Sequence, residues 1–184
     1  MALFYLIRHG EPDYDAVAKL GFFGYGLCLA PLSKRGIEQV EMTADDKRLL
    51  EADIIVSSPY TRALETASII SRKTGKKIII EPELHEWISD KTNTLSTEEE
   101  ANALFKEFIE CKGVYPSDSE RKWEELSSLK ERVERIADKY AKYNKVIFVA
   151  HGMVCKVLAY ASSMRYAEII ECEYKEGQKN PKFF

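Results

Sequence analysis

The chain of 184 residues is predicted to be an α/β protein with three layers, in which helices cover both faces of a mostly parallel central sheet. Short apolar and β-branched runs alternate along the chain with segments of helical periodicity. Most runs are continuously apolar, as expected of parallel strands that are covered on both faces. A chain of this length with 45% hydrophobic residues can bury one sizeable core, so we expect a single domain over residues 1–184.

Five runs have the composition of strands. Each combines β-branched or other apolar residues over a length typical of a strand. They lie at residues 3–7, 53–57, 77–80, 145–150 and 169–174. Because helical segments separate most of them, we expect parallel connections between neighbouring strands.

Two helices are predicted between the first and third strands. Ser33 can cap a helix that runs to Leu50. Ser58 followed by Pro59 is a good start for a second helix, which ends near Gly75. Both helices therefore connect predicted strands, as the fold class requires.

Two more helices are predicted before the fourth strand. Residues 97–111 place their apolar side chains on one face, and Ser96 with Glu99 can form a capping box. A longer amphipathic helix follows, with Ser117 and Glu120 as its capping pair. These segments supply the helical, lid-like region that we expect around residues 86–120.

Two segments lack a clear period. Residues 13–31 include three glycines and are predicted to form a long loop that borders a site. Residues 175–184 are mostly polar, contain Gly177 and Pro181, and are expected to be disordered.

Composition argues against several functional classes. A formal net charge of −3 and a pI near 5.8 give no overall attraction for nucleic acid or an anionic membrane, so neither is expected as a partner. Residues 2–7 are too short for a signal peptide, and no stretch approaches the roughly 20 apolar residues of a membrane helix. The four cysteines form no CxxC pair and are expected to be reduced, which predicts a cytoplasmic protein.

Ionisable residues follow the predicted strands where each strand ends. Two follow the first strand, one lies a turn into the helix after the second, one comes shortly after the third, and one follows the fourth with a glycine that starts the last helix. In that order they are Arg8 and His9, Arg62, Glu86, and His151 with Gly152. Because ligands of a doubly wound sheet bind at the carboxyl ends of its strands, we expect these residues to converge.

These side chains suit the transfer of a phosphoryl group. A neutral imidazole is a competent nucleophile near pH 7, which makes His9 the candidate nucleophile. Arg8 and Arg62 offer fixed, multi-donor charge that matches phosphate oxygens, and a helix start at Gly152 offers free backbone amides. His151, held charged by the phosphate that it faces, is expected to be a further donor.

Glu86 is the candidate general acid and base. An alkoxide is a poor leaving group, so a protonated carboxyl must donate a proton to it and later deprotonate the attacking water. Trp87 could supply the apolar neighbour that raises the pKa of this carboxyl. Glu83 is the alternative for the role, and His85 is interpreted as a surface or lid residue.

The same residues lie in ordered motifs that span most of the chain. The motifs are LIRHGE at residues 6–11, PLSKRGIEQ at 31–39, SSPYTRALETA at 57–67 and AHG at 150–152. On these motifs the chain resembles the histidine phosphatase superfamily, which has the phosphoglycerate mutase-like fold. The resemblance implies a metal-independent phosphatase of the histidine acid phosphatase type, without a cofactor. It also implies catalytic roles for Arg8, His9, Arg62, Glu86 and His151, and phosphate binding by Arg8, Arg62, His151 and Gly152.

One position departs from the family pattern. Many members place a polar amide six residues after the nucleophile, where this chain has Asp15. A carboxylate would repel phosphate, so Asp15 is expected to point away or to contact a substrate hydroxyl.

The charge of the covering segment favours a phosphatase over a mutase. Residues 81–131 carry 14 acidic and 6 basic side chains, a net charge of −8, against +5 for the remainder. A mutase must hold both phosphates of a bisphosphate and should carry additional basic residues there. We therefore expect a phosphomonoesterase that acts on a small phosphorylated substrate through a phosphohistidine on His9.

Three alternatives stay open to different degrees. The first is an enzyme that transfers a phosphoryl group as phosphoglycerate mutases do. The second is a non-catalytic regulatory module that binds phosphate. A metal-dependent hydrolase is disfavoured, because arginines beside the histidines would repel a cation. The oligomeric state is open, with a homodimer as one option.

Overall fold

The apolar runs form one five-stranded sheet. Its strands are β1 (Ala2–Arg8), β2 (Ile54–Ser57), β3 (Ile78–Ile80), β4 (Lys145–Ala150) and β5 (Ile169–Tyr174). Their spatial order is β3-β2-β4-β1-β5, and β5 pairs antiparallel to β1 while the other pairs are parallel. The mostly parallel sheet is therefore confirmed, and each predicted strand lies within one residue of its expected bounds.

The computed structural model describes residues 1–116, 121–180 and 182–184. Within these ranges the α-helices are α1 (Tyr14–Ala18), α2 (Lys34–Ala44), α3 (Thr61–Thr74), α4 (Glu98–Glu110), α5 (Leu126–Tyr140) and α6 (Gly152–Leu158). No helix in the described part of the chain is long and apolar enough to cross a membrane. The four cysteines are free thiols.

Strand side chains alternate between two apolar cores. Phe4 and Leu6 of β1 lie in one core together with apolar side chains of α5 and α6. Tyr5 and Ile7 lie in the other core with apolar side chains of α2 and α3. Because successive side chains of a strand point to opposite faces, helices cover both sides of the sheet, and the three-layer arrangement is confirmed.

Two helix boundaries near β2 differ from the prediction. The helix capped by Ser33 ends at Ala44, and a separate 3₁₀ helix (Lys47–Glu51) follows. The Asp46 carboxylate accepts a hydrogen bond from the backbone N–H of Arg48, a local bond that competes with helix continuation. The helix expected from Pro59 begins at Thr61 instead, because the Ser58 backbone N–H still bonds the carbonyl of Val149 in β4 and Tyr60 has an extended backbone.

The N-termini of the next two helices differ from the prediction. Helix α4 has its capping box one residue later than expected, at Thr97 and Glu100. Helix α5 begins after Glu125, which makes no side-chain cap hydrogen bond. The predicted pair Ser117 and Glu120 lies outside the described residues.

Two segments are more ordered than expected. The predicted loop over residues 13–31 contains α1 and a 3₁₀ helix, Gly24–Leu29. The prediction of a disordered terminus was also wrong, because Phe183 is buried in a core and the ring of Phe184 lies 5.7 Å from that of Phe108. Aromatic side chains in an otherwise polar tail supply this anchor.

Candidate active site

The carboxyl ends of three adjacent strands bring four predicted side chains together. Arg8 is the last residue of β1, His151 follows β4 directly, and Arg62 is the second residue of the helix after β2. The rings of His9 and His151 have their centroids 5.1 Å apart. The expected convergence at this edge of the sheet is therefore present.

His9 is held in one tautomer. Its Nδ1 lies 2.7 Å from the carbonyl oxygen of Gly10, which only accepts hydrogen bonds, so Nδ1 carries the proton. Its Nε2 accepts a hydrogen bond from Nε of Arg62 at 3.1 Å. Burial and the charges of Arg62 and Arg8 lower the pKa of His9 to about 3. The ring is therefore neutral, with its Nε2 lone pair directed into the site.

His151 is fully buried and also neutral in the free site. Its Nδ1 lies 3.4 Å from Nη2 of Arg62, which only donates, so Nε2 donates to the hydroxyl of Ser58 at 2.8 Å. Burial, His9 and Arg62 lower the pKa of His151 well below its usual value. The charged imidazole expected from the sequence would therefore require a bound phosphate. Ser58 was not predicted as a site residue, although its position directly after β2 could have indicated it.

The Arg62 guanidinium bridges the two imidazoles. It contacts His9 through Nε and His151 through Nη2, and its Nη1 donates to the carbonyl of Leu27 at 3.3 Å. Its Cζ lies 5.0 Å above the ring of Tyr60. Arg62 is thereby placed to reach any anion that approaches either histidine.

Arg8 reaches the site from the other side. Its Nη1 donates to the carbonyl of Met164 at 2.6 Å, and its Cζ lies 4.2 Å from the centre of the Tyr166 ring. Arg8 Nε is the one buried side-chain nitrogen or oxygen in the described ranges that has no hydrogen-bond partner. A Cβ on Gly152 would lie 3.8 Å from this nitrogen, so the unpaired donor sits beside the start of α6.

Glu86, and not Glu83, faces the site. The Glu86 carboxylate lines the same pocket as Arg62 and accepts a hydrogen bond from the Trp87 backbone N–H at 2.9 Å. Burial raises the pKa of Glu86, against the opposing effects of backbone N–H groups and the two arginines. Glu83 pairs with Arg135 at 2.6 Å, and its side chain is 41% exposed. The structure thus separates the two candidates that the sequence left open.

A buried ion pair holds the turn that carries Glu86. Arg132 pairs with Glu124 at 2.7 Å, and both side chains are less than a tenth exposed. The remaining donors of Arg132 bind the backbone carbonyls of Glu83, His85 and Glu86. The turn after β3 is therefore fixed from its backbone, which leaves the Glu86 carboxylate free to line the pocket.

The expectation for His85 changes in detail. His85 is partly buried and its ring stacks on Tyr60 at 6.5 Å, so it is not a plain surface residue. A Cβ on Gly10 would lie 2.6 Å from the carbonyl oxygen of Gly36, so the packing of α2 against this loop requires a glycine here. Asp15 is exposed on α1 and is not among the residues that line the pocket beside Arg62.

A pocket of about 180 Å³ opens beside Arg62 and Glu86. Its walls come from the 3₁₀ helix after α1, from the start of α3 and from the loop before α4. Besides those two residues, the lining consists of Tyr14, Gly24, Tyr25, Leu27, Cys28, Tyr60, Trp87, Ile88, Ser89, Asp90, Asn93 and Leu95. The aromatic members were missed by sequence reasoning, although the glycines of the 13–31 segment marked one wall.

Among the described residues of 81–131, most acidic side chains do not line this pocket. Glu98, Glu99 and Glu100 are exposed at the start of α4. Among the lining residues, only Glu86 and Asp90 carry carboxylates. This segment therefore presents less charge to a substrate than its net charge of −8 suggested, but that charge is still negative.

The fold and the site define a class: an α/β protein with two histidines, two arginines and a carboxylate at the carboxyl edge of its sheet. The family model of the histidine phosphatase superfamily (branch 1) matches residues 4–177. The chain belongs to this family, as its motifs predicted.

Curated relatives carry two kinds of name. A Bacillus subtilis protein named as an uncharacterized phosphatase is 28% identical over 83% of this chain and 73% of its own length. A 2,3-bisphosphoglycerate-dependent phosphoglycerate mutase of Thermoplasma acidophilum is 30% identical over 76% and 66%. A probable phosphoglycerate mutase of Photorhabdus laumondii is 33% identical over 52% of this chain, and the match spans only 45% of that relative.

Solved structures share the fold over nearly the whole chain. Bacillus stearothermophilus YhfR superposes with a TM-score of 0.72 at 20% identity, over 98% of this chain and 95% of that one. A mycobacterial glucosyl-3-phosphoglycerate phosphatase superposes with a TM-score of 0.68 at 19% identity, over 93% and 89%. At such identities the likeness shows the fold alone.

Proposed function

We propose that the protein is a phosphomonoesterase that transfers the phosphoryl group of a small ester to His9 and then to water. The observation that carries this proposal is the state of His9, a buried neutral imidazole whose unprotonated Nε2 faces Arg62. A nucleophile in this state needs no base to activate it.

In the first step, Nε2 of His9 attacks phosphorus and the bond from phosphorus to the ester oxygen breaks. Arg62 exchanges its hydrogen bond with Nε2 for bonds to phosphate oxygens, and the unpaired Nε of Arg8 gains a partner. Glu86, whose raised pKa favours the protonated carboxyl, donates a proton to the leaving oxygen. The amide of Gly152 adds a donor to the phosphoryl group, and His151 becomes a donor once the bound phosphate stabilises a proton taken up from solvent at its Nδ1.

In the second step, water attacks the phosphohistidine and the N–P bond breaks. The Glu86 carboxylate takes the proton of the water, which restores both His9 and the acid. The Arg62 guanidinium donates to one nitrogen of each imidazole, so a metal cation bound to those nitrogens would meet its charge, and this supports a metal-independent reaction.

The pocket walls support a monophosphate with an uncharged organic part. Arg62 is the one cationic side chain among the lining residues of the described chain, and it is engaged by the transferring group. Burial raises the pKa of Asp90, but hydrogen bonds from Thr92, Thr94 and Leu95 lower it to about 2, so this wall is ionised. A second anionic group would therefore meet a carboxylate and aromatic rings.

A labelling and turnover experiment tests the proposal. The protein is incubated with phosphomonoesters and with 3-phosphoglycerate, and inorganic phosphate, isomerised product and protein-bound phosphate are measured. We expect phosphate release through an adduct that is labile to acid, stable to alkali and absent in His9→Ala. Isomerisation without phosphate release would identify a mutase, and phosphate binding with neither product would identify a regulatory module.

A further inference from the structure

The four residues 164–167, between α6 and β5, hold the Arg8 guanidinium; we call them the strap. The carbonyl of Met164 accepts a hydrogen bond from Nη1 of Arg8 at 2.6 Å. The ring of Tyr166 covers the guanidinium, with Cζ 4.2 Å from the ring centre. The strap therefore binds Arg8 through one edge and one face.

The backbone of the strap is itself fixed at a strained residue. Ala167 has φ of 57°, in the left-handed region that is unfavourable for residues other than glycine, and it is buried. Its N–H bonds the carbonyls of Arg8 at 3.0 Å and His9 at 3.2 Å, and its carbonyl accepts from the Thr43 hydroxyl at 2.7 Å. A strained conformation persists only where surrounding contacts hold the backbone in place. Here the hydrogen bonds of Ala167 hold it, and they position the neighbouring Tyr166 against Arg8.

The strap also lies close to the nucleophile. The Tyr166 ring is centred 5.7 Å from the ring of His9. With Nη1 bound and one face covered, Nε of Arg8 is left buried and unpaired. A buried guanidinium N–H without a partner is costly, and an oxygen of a bound phosphate would satisfy it.

We propose that Tyr166 is a positioning residue that acts through Arg8. Its aromatic face, together with the Met164 carbonyl, holds the guanidinium so that Nε points to the phosphate bound at His9. This inference rests on the proposed function, because it assigns the phosphoryl group as the partner of Nε. It gives Tyr166 no contact with the reacting atoms.

Two substitutions at Tyr166 separate the ring from the hydroxyl. Tyr166→Phe keeps the aromatic face, and we expect its affinity for inorganic phosphate, measured by calorimetry, to stay within about twofold of the native value. Tyr166→Leu removes the face, and we expect phosphate affinity and kcat/KM to fall about 5- to 30-fold, the range given by a partly desolvated cation–π contact. Tyr160→Leu, at an exposed tyrosine, is the matched control and should change neither.

A double-mutant cycle identifies the route of the effect. In an Arg8→Gln background, Tyr166→Leu should weaken phosphate binding no further. An equal loss in both backgrounds, or no loss from Tyr166→Leu alone, would overturn the inference. If thermal unfolding shows that Tyr166→Leu is not folded, Tyr166→Met replaces it, and the same losses of phosphate affinity and kcat/KM are expected.

Phosphate binding also separates this inference from the proposed function. If the native protein binds phosphate but hydrolyses no ester, the phosphomonoesterase proposal fails, while the coupling of Tyr166 to Arg8 can still be measured. If esters are hydrolysed and the cycle shows no coupling, only the role of Tyr166 fails.

Discussion

At the scale of single residues, the chemistry available to the site depends on the protonation states of its two histidines and of Glu86. Burial keeps both histidines neutral, and it favours the protonated form of Glu86 in the same site. One buried environment thus favours the neutral form of both kinds of group, because burial disfavours charge on an imidazole and on a carboxyl alike.

The pH dependence of turnover should follow Glu86. Above the raised pKa of Glu86 its carboxyl loses the proton that the leaving group needs, so kcat/KM should fall as pH rises through that value. His9 stays neutral well below its usual pKa and should set no limit in this range. Rates measured from pH 5 to 9 on an alkyl phosphate test this, and a rate that climbs steadily into alkaline pH would contradict it.

Glu86→Gln should remove that alkaline decline and lower kcat about 10²- to 10⁴-fold. Glu83→Gln is the matched control, because it makes the same substitution in an exposed ion pair three residues away. It should keep the activity and the pH profile of the native protein. Equal losses in the two variants would argue against Glu86 as the acid.

At the scale of elements, the loop that carries His9 is positioned by its packing on α2. A Cβ on Gly36 would lie 2.1 Å from the carbonyl oxygen of Glu11, a distance that no side chain tolerates without a shift of the backbone. The loop after β1 and the helix are therefore in direct backbone contact, and the position of His9 depends on it.

Gly36→Ala should therefore displace this loop. We expect a loss of about 1–3 kcal/mol in the free energy of unfolding, as for overpacking in a core, together with a lower kcat. Urea unfolding and turnover measure the two effects. Glu38→Ala, on the exposed side of the same helix, is the control and should change both little; a fully active Gly36→Ala would mean that the contact does not position His9.

The 3₁₀ helix that forms one pocket wall should control charge selectivity. Tyr25 lines the pocket and is partly exposed, so Tyr25→Arg adds a cation where the described lining offers none beyond Arg62. We expect the ratio of kcat/KM for 3-phosphoglycerate to that for glycerol 3-phosphate to rise about fivefold, as for one partly screened charge pair. Tyr160→Arg adds the same charge elsewhere, and an equal rise in that variant would assign the effect to net charge.

At the scale of the whole molecule, the neutral histidines make the fold sensitive to acid. Unfolded histidine has a pKa near 6.5, whereas that of His9 is about 3 in the folded protein. Below pH 6.5 the unfolded chain binds protons that the folded protein does not, so stability falls as pH falls. The slope is about 1.4 kcal/mol per pH unit for each such histidine.

His9→Asn should reduce this acid sensitivity. The free energy of unfolding, measured with urea at pH 6.5 and 5, should fall less in the variant than in the native protein. Protonation of Glu86 has the opposite effect on stability, because its pKa is raised in the folded protein. The chains with and without His9→Asn are therefore both compared in a Glu86→Gln background. An identical pH dependence in both chains would show that His9 is not held neutral by the fold.

The sequence by itself determined the alternation of strands and helices and the residues that follow each strand. These properties are local: apolar runs specify strands, and a strand end places the next residues at the edge of the sheet. The convergence of Arg8, His9, Arg62 and His151 could therefore be predicted before the structure was known. The breaks after Ala44 and before Thr61 could not, because local hydrogen bonds and the path of the sheet compete with helix propensity there.

Only the tertiary structure decided the chemical state of the site. The partner of His151 is Ser58, 93 residues away, and the carbonyl that holds Arg8 is 156 residues away. That Glu86 and not Glu83 lines the pocket likewise depends on Arg132 and Arg135, which lie on α5. Tautomer, protonation and orientation follow from such contacts, and no local pattern encodes them.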